Sequence, residues 1–212
     1  MTTLEPSRHP ERAVHDRADL DALLDRGRVA HVALVTDEGP LVLPTAYARD
    51  GDRLLFHGSP RSRWLGLAAA GAPVCVAVSE VSAIVVGRAM SAASMRYAGA
   101  VLFGTCTALP DEQKAAALVA LTDRLVPGGA ARLRPPTDHD AAATLVLALP
   151  IDRWSLKASQ GWPYDATDPA AGDGWAGVVP LVTTWGEPVA APGLHPPADL
   201  PDEIRSLVGR PA

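Results

Sequence analysis

The residues best suited to chemistry stand in one short turn, residues 57–63, whose letters read HGSPRSR. Apolar residues before the turn predict a strand, and the spacing after it predicts a helix over 60–70. Four donors crowd the predicted start of this helix: Ser59, Arg61, Ser62 and Arg63. Backbone N–H groups are unpaired at a helix start, and the planar fork of arginine matches phosphate oxygens. The turn therefore predicts a phosphate site, although codon bias toward arginine on a solvated helix start would give the same letters.

The composition restricts the class of protein. The chain has 212 residues and a formal net charge of −5, which argues against a nucleic-acid or anionic-membrane partner. It shows neither a run of about 18 apolar residues nor a signal-peptide pattern, so we expect a cytoplasmic protein without a membrane partner. Cys75 and Cys106 lie within apolar runs and are expected to be core residues in a reducing compartment.

Short apolar runs between turn residues predict a mainly β protein with inserted helices. The expected strands are 29–35, 41–48, 53–57, 73–79, 83–90, 97–108, 144–149 and 151–159, and the expected helices are 19–26, 60–70 and 111–125. Regular βαβ alternation, a nucleotide-binding glycine fingerprint and a zinc motif are not seen, so we predict an antiparallel barrel.

Two regions are expected along the chain. Residues 1–160 form the barrel domain, beginning with an extended arm over 1–17. Residues 161–212 form a C-terminal extension that packs on the barrel or on a partner subunit. Gly, Pro and Asp interrupt the apolar fragments of this extension, and residues 191–212 are predicted to be a loosely held tail.

Several segments follow one another in a recognisable order. They are 9–13 (HPERA) with 15–17 (HDR), 27–33 (GRVAHVA), 43–47 (LPTAY), 56–59 (FHGS) with 62–63 (SR), 94–97 (SMRY), 101–104 (VLFG) and 154–157 (WSLK). Together, over roughly residues 8–177, they resemble the FMN-binding split barrels of the pyridoxamine 5'-phosphate oxidase-like family. The branch they resemble is the one related to nitroimidazole reductases.

The resemblance implies a homodimer of face-to-face barrels with FMN at the subunit interface. It places the phosphate on Ser62 and Arg63, with Ser59 and Arg61 as neighbours. It also implies that four residues run beside the isoalloxazine ring through their backbone groups: Pro44, Thr45, Ala46 and Tyr47. Lys157 is expected either to reach the flavin or to lie exposed on the barrel rim. Trp162 is expected either to stack on a ring face or to be a core or interface residue.

His57 has three interpretations. It contacts the phosphate or the substrate, or it caps the turn that follows it. The third interpretation is that it is the axial ligand of a haem iron, because some split-barrel proteins of the family that the chain resembles bind haem. No other metal is expected.

The segment 91–99 (SAASMRYAG) departs from the family pattern. Alanines stand where the related branch has histidines, and Arg96 stands where that branch has an asparagine. This segment would border the substrate side of the flavin. Tyr97 and Arg96 are the residues expected to face the substrate, with Arg96 suited to an acidic one, and the identity of the substrate stays open.

The leading hypothesis is an FMN-dependent oxidoreductase that passes hydride or electrons through the flavin to a small-molecule acceptor, with NAD(P)H considered as the donor. The cofactor carries this chemistry, so the chain needs no catalytic nucleophile or acid–base pair. Two alternatives stay open: a haem-binding split barrel that uses His57, and a flavin-binding protein without catalytic activity.

Overall fold

The computed structural model describes residues 8–194 and 199–211. The strands are β1 (Ala13–Val14), β2 (Val29–Thr36), β3 (Gly39–Ala46), β4 (Ala48–Asp50), β5 (Arg53–Gly58), β6 (Pro73–Val86), β7 (Ser94–Thr105), β8 (Thr107–Ala108), β9 (Leu145–Pro150), β10 (Trp154–Ser159) and β11 (Gly177–Pro180). The α-helices are α1 (Arg17–Arg26), α2 (Arg63–Ala69), α3 (Asp111–Leu125), α4 (Asp138–Ala142) and α5 (Asp202–Arg205). Residues 1–7 of the predicted arm, and residues 195–198 and 212 of the predicted tail, lie outside the described residues.

The strands form two antiparallel sheets. The larger has the order β1-β10-β7-β6-β2-β3, with β11 paired to the far part of β6, and the smaller has the order β4-β5-β9-β8. The predicted mainly β, antiparallel architecture is confirmed. The two strands predicted over 73–79 and 83–90 are one strand, β6, because a register shift between Val81 and Ala83 lets it bend without ending.

Alternation along the strands separates the core from an open face. On β6, the side chains of Val74, Val76 and Val78 are buried against the second sheet. Cys75 and Ala77 point to the opposite face and stay partly exposed. Since successive side chains point to opposite sides of a sheet, one face of the larger sheet builds the core and the other remains uncovered in the single chain.

The helices cover two different places. Helix α1 begins two residues earlier than predicted, because the Asp16 carboxylate accepts a hydrogen bond from Ala18 N at 2.8 Å. Its leucines enter the main core. Helix α3 has the predicted bounds and packs on the outer side of the smaller sheet, where Leu121 and Ala117 form a second cluster with Leu55.

The C-terminal segment makes specific contacts. Strand β11 pairs with β6, and the Trp185 ring lies 4.5 Å from the Arg28 guanidinium carbon. Backbone hydrogen bonds join Trp185 to Gly209 and Arg210. The prediction of a loosely held tail is therefore wrong for residues 199–211. No helix in the described residues is long and apolar enough to cross a membrane.

Tyr47 joins the end of β3 to the end of α1. Its side chain is fully buried, and its hydroxyl donates a 2.7 Å hydrogen bond to Leu24 O in the last turn of α1. Burial raises the pKa of the Tyr47 phenol. A Cβ on Gly27 would approach the Tyr47 oxygen to 2.6 Å, so this contact also requires the glycine.

We expect Tyr47→Phe to lower the free energy of unfolding by about 1–2 kcal/mol, because it leaves a buried carbonyl without a donor. Urea denaturation measures the change. The matched control is Tyr164→Phe, whose exposed hydroxyl donates to Ser91 Oγ; water replaces that partner, so the change should be close to zero. Equal stability of the Tyr47→Phe and Tyr164→Phe variants would contradict the prediction.

Candidate functional site

The turn predicted to hold a phosphate lies between β5 and α2 and is open to solvent. Ser62 is the residue before the helix, and its side chain makes no capping hydrogen bond. Ser59 Oγ accepts a hydrogen bond from Arg61 N at 3.2 Å, and the Arg63 guanidinium donates to Glu38 at 2.9 Å. Helix α2 has seven residues rather than the predicted eleven, so the side chains and turn amides, more than a long helix, supply the donors.

The stretch predicted to run beside the flavin ring is the end of β3. Pro44 is exposed, Thr45 and Ala46 are half-buried, and the Tyr47 side chain is directed into the core. Only the backbone of Tyr47 is therefore available to a ligand on the open face.

Most side chains on the open face are short. One row across the sheet joins five residues in register: Pro44, His31, Ala77, Val101 and Ser155. The next row contains Ser79, Gly99 and Lys157. An uncovered face with short side chains suits a planar ring or a second sheet.

The remaining predicted residues gather at one end of the β6–β7 hairpin. The Arg96 guanidinium lies 4.7 Å from the centre of the Trp162 ring, and its Nε donates to Gly161 O at 3.2 Å. Tyr97 is half-buried and pairs with Val81 and β10. Lys157 Nζ donates to Arg8 O at 2.9 Å.

A single chain does not bring these groups to the phosphate turn. Arg63 contacts Glu38, in the β2–β3 turn near the Pro73 end of β6, whereas Arg96 pairs with Ala83 near the opposite end. Ten residues of extended strand correspond to about 30 Å. The two groups therefore lie too far apart in one chain for a single small ligand to contact both.

His57 faces away from the barrel core. Its neighbour Phe56 is in the main core, whereas His57 lines a cavity of about 330 Å³ beneath α3. Six of the ten other lining residues are apolar: Leu118, Val119, Ala130, Leu133, Pro135 and Pro136. The other four are polar or charged: Thr122, Arg134, Asp140 and Thr144. His57 Nδ1 is buried and has no hydrogen-bond partner among the described residues. Burial lowers the pKa of His57, which favours the neutral imidazole.

These positions separate the three interpretations of His57. The ring lies on the face of β5 that is turned toward α3, so it does not join the donors of the 59–63 turn. The cavity walls come from residues 118–144, and only the helix pattern of α3 signalled any of them in the sequence.

The two cysteine thiols and the potential metal ligands show no reactive arrangement in the part of the chain that the structure describes. Burial raises the pKa of the Cys106 thiol to about 11 and also raises the pKa of Cys75, so both thiols stay protonated near neutral pH. Within residues 8–194 and 199–211, no group of three or more His, Cys, Asp or Glu side chains is placed to hold a metal ion.

Comparison with known proteins gives a consistent result. The family model for pyridoxamine 5'-phosphate oxidase matches residues 16–158. A solved FAD and haem binding protein of Mycobacterium smegmatis is 46% identical, with 93% of this chain and 98% of that chain covered and a TM-score of 0.88. The flavocytochrome Anf3 of Azotobacter vinelandii is 29% identical, with 96% and 95% covered and a TM-score of 0.87.

A third solved structure shows the fold alone. It is a putative 5-nitroimidazole antibiotic resistance protein of Bacteroides thetaiotaomicron, 20% identical, with 69% of this chain and 86% of that chain covered and a TM-score of 0.59. Comparison with curated proteins finds no significant match. The split-barrel fold predicted from the sequence is confirmed.

We expect acid to destabilise the wild-type protein more than the His57→Gln variant. The unfolded chain binds a proton at the ordinary histidine pKa of about 6.5, whereas folded His57 stays neutral to lower pH. The unfolded state thus binds more protons, and the free energy of unfolding falls as pH drops below about 6.5. Urea denaturation between neutral and mildly acid pH measures this, and parallel pH curves for the two proteins would contradict it.

Proposed function

The chain belongs to the pyridoxamine 5'-phosphate oxidase family, and we propose that it is a flavin-dependent oxidoreductase whose flavin lies between two copies of the chain. The observation that carries the proposal is a likeness over nearly the whole length. The Mycobacterium smegmatis protein, which binds FAD and haem, and the flavocytochrome Anf3 both align with more than nine-tenths of this chain. The open face of the larger sheet supports it structurally.

The phosphate turn supports either flavin. FMN, expected from the sequence, and FAD, named for the Mycobacterium smegmatis relative, both carry a phosphate next to the ribityl chain. Ser62 offers an uncommitted hydroxyl and Arg63 an exposed guanidinium, with Ser59 and Arg61 beside them. A dianionic phosphate needs several charge-assisted donors, which this turn supplies.

The separation of the groups supports a homodimer as part of this proposal. The open face around Ala77 and Val101 is uncovered in one chain, and the groups at Arg63 and Arg96 lie far apart along the hairpin. Two copies packed through these faces would exclude water from a ring lying on the backbone of Pro44–Tyr47. Lys157 of either copy is then the candidate for the ring's remaining edge, and stacking of Trp162 on a ring face stays a prediction.

The chemistry belongs to the bound flavin, which supplies hydride or single-electron transfer. The chain's contribution is orientation and charge. Arg96 and Tyr97 stand at the end of the hairpin where a substrate would approach, and Arg96 favours an acidic one. NAD(P)H as donor, a small-molecule acceptor and a cytoplasmic location stay predictions.

A second candidate function is haem binding at His57. The observation that favours it is the His57 imidazole in the wall of a mainly apolar cavity. Its buried Nδ1 has no hydrogen-bond partner among the described residues, and burial favours its neutral form. Neutral imidazole is the form that ligates iron, and apolar walls suit a porphyrin. A porphyrin is larger than the 330 Å³ cavity, so the cavity would enclose it only in part.

The two functions do not exclude each other. Phe56 points into the barrel core and His57 points toward α3, so the haem cavity and the open face lie on different sides of the structure. Bound haem would supply one-electron chemistry, while His57 would hold the iron and the cavity would limit access of water.

We expect the purified protein to bind flavin and the Ser62→Ala, Arg63→Gln double variant to bind it at least about tenfold more weakly, because charge-assisted donors to the phosphate are lost. Quenching of flavin fluorescence measures the affinity. Arg205→Gln, which removes an exposed arginine on α5, is the matched control and should bind normally. Wild-type affinity in the double variant would refute the phosphate assignment, and a wild-type protein that binds neither FMN nor FAD would refute the flavin proposal.

For haem, we expect the wild-type protein to show a Soret band when hemin is added, and His57→Gly to lose it. Added imidazole should restore the band in His57→Gly by filling the vacated position. His139→Gly, at an exposed histidine on α4, is the control and should keep the band. Identical spectra of His57→Gly and wild type would exclude His57 as the ligand.

A further inference from the structure

A second basic site stands at the far end of the β6–β7 hairpin, apart from the phosphate turn and the His57 cavity. It is a cavity of about 620 Å³, within the usual size range of small-molecule sites. Three segments form its walls: the N-terminal arm at 8–12, the β6–β7 connection at 91–95, and residues 159–164 after β10. We call it the arm cavity.

The charge of the arm cavity is opposite to that of the chain. Arg8, His9 and Arg12 line it, and no carboxylate does so among the described residues, although the formal net charge of the chain is −5. The nearby Glu11 Oε1 lies 2.9 Å from His9 Nδ1 and 3.9 Å from Arg12 Nε. Among residues 8–194 and 199–211, Arg12 therefore has only this long ion pair with Glu11, and its guanidinium is available to an anionic ligand.

Aromatic faces stand at the same cavity. The side chains of Trp162 and Tyr164 are 71% and 72% exposed, which is high for rings of this size. The Arg96 guanidinium lies over the Trp162 ring at 4.7 Å, and most of the Trp162 side chain stays exposed. Three hydroxyls, from Ser91, Ser94 and Ser159, complete the lining. A planar group on an aromatic face gains stacking energy, and hydroxyls suit phosphate or sugar oxygens.

The walls are fastened in place. The Tyr164 hydroxyl donates to Ser91 Oγ at 2.7 Å, and the buried Asp165 carboxylate accepts from Ala89 N at 2.7 Å. Lys157 Nζ donates to Arg8 O and holds the arm against β10. These contacts join all three segments, so the donors and rings are positioned before a ligand arrives.

We propose that the arm cavity binds a phosphorylated nucleoside, with the phosphate on Arg8 and Arg12 and the base stacked on Trp162. A small aromatic acid would satisfy the guanidinium groups but would leave most of the volume and the serine hydroxyls unused. The nucleoside phosphate is either a free nucleotide or the adenylate half of FAD. Because the phosphate turn of the same chain lies at the other end of the hairpin, an FAD reaching this cavity must be held by the partner copy.

Calorimetric titration of ADP and adenosine into the purified protein tests the proposal without any flavin signal. ADP should bind, adenosine should bind at least about tenfold more weakly, and added salt should weaken ADP. Arg12→Gln should lose about tenfold or more in ADP affinity, Arg12→Lys should lose less, and Trp162→Ala should lose several-fold. Arg205→Gln and Trp175→Ala are the matched controls, at an exposed arginine and an exposed tryptophan outside the cavity, and should bind ADP normally.

Three results would overturn the proposal: no binding of ADP, equal affinity for ADP and adenosine, or equal losses in Arg12→Gln and Arg205→Gln. Thermal melting shows whether Arg12→Gln is folded, and Arg12→Lys keeps the test valid if it is not.

Competition between ADP and the flavins identifies the source of the nucleoside phosphate. ADP that competes with FAD but not FMN indicates the adenylate of FAD, and ADP that competes with neither indicates a free nucleotide. ADP that competes with FMN would place ADP at the phosphate turn and overturn the proposal. Binding of ADP by a protein that binds no flavin would support this site and end the flavin proposal.

Discussion

The register between β6 and β7 is the constraint on which the rest of the structure depends. It directs Val74, Val76 and Val78 into the core and leaves Cys75 and Ala77 on the opposite face. A slip of one residue would exchange the two faces, turning Cys75, Ala77 and Ser79 inward and exposing the valines. The same pairing that builds the core therefore also creates the uncovered face on which a planar cofactor and a second copy of the chain can lie.

Alternation in the smaller sheet gives a second, different environment. Phe56 enters the core, while His57 enters a space that α3 covers only in part. Burial there favours the neutral imidazole, and the cavity walls are mostly apolar. The open face and the His57 cavity thus combine opposite conditions in one small fold. One is a broad uncovered surface, and the other is a partly covered pocket in which the His57 Nδ1 atom is buried.

Local sequence signals predicted the secondary-structure elements well and the tertiary contacts between them poorly. Periodicity and turn residues predict helix α3 and the β2–β3 hairpin, and the order of short motifs predicts the split barrel. Periodicity did not reveal that β6 continues through its bulge at Val81, nor that the Trp185 ring packs on Arg28. Both features depend on residues distant in the sequence. The predicted site residues divide into separate groups for the same reason. A linear motif does not show that Arg63 lies at the start of α2, that Arg96 lies near the far end of the β6–β7 hairpin, or that His57 faces α3.

The central claim is that the flavin lies between two copies of this chain. Sedimentation velocity, followed by flavin absorbance and by protein absorbance in the same run, tests it most directly. The chain mass is 22.1 kDa, so the account predicts that the flavin signal sediments with a species of about twice that mass. Dilution should release flavin as the dimer dissociates. Flavin that sediments with a stable 22.1 kDa monomer would contradict the account.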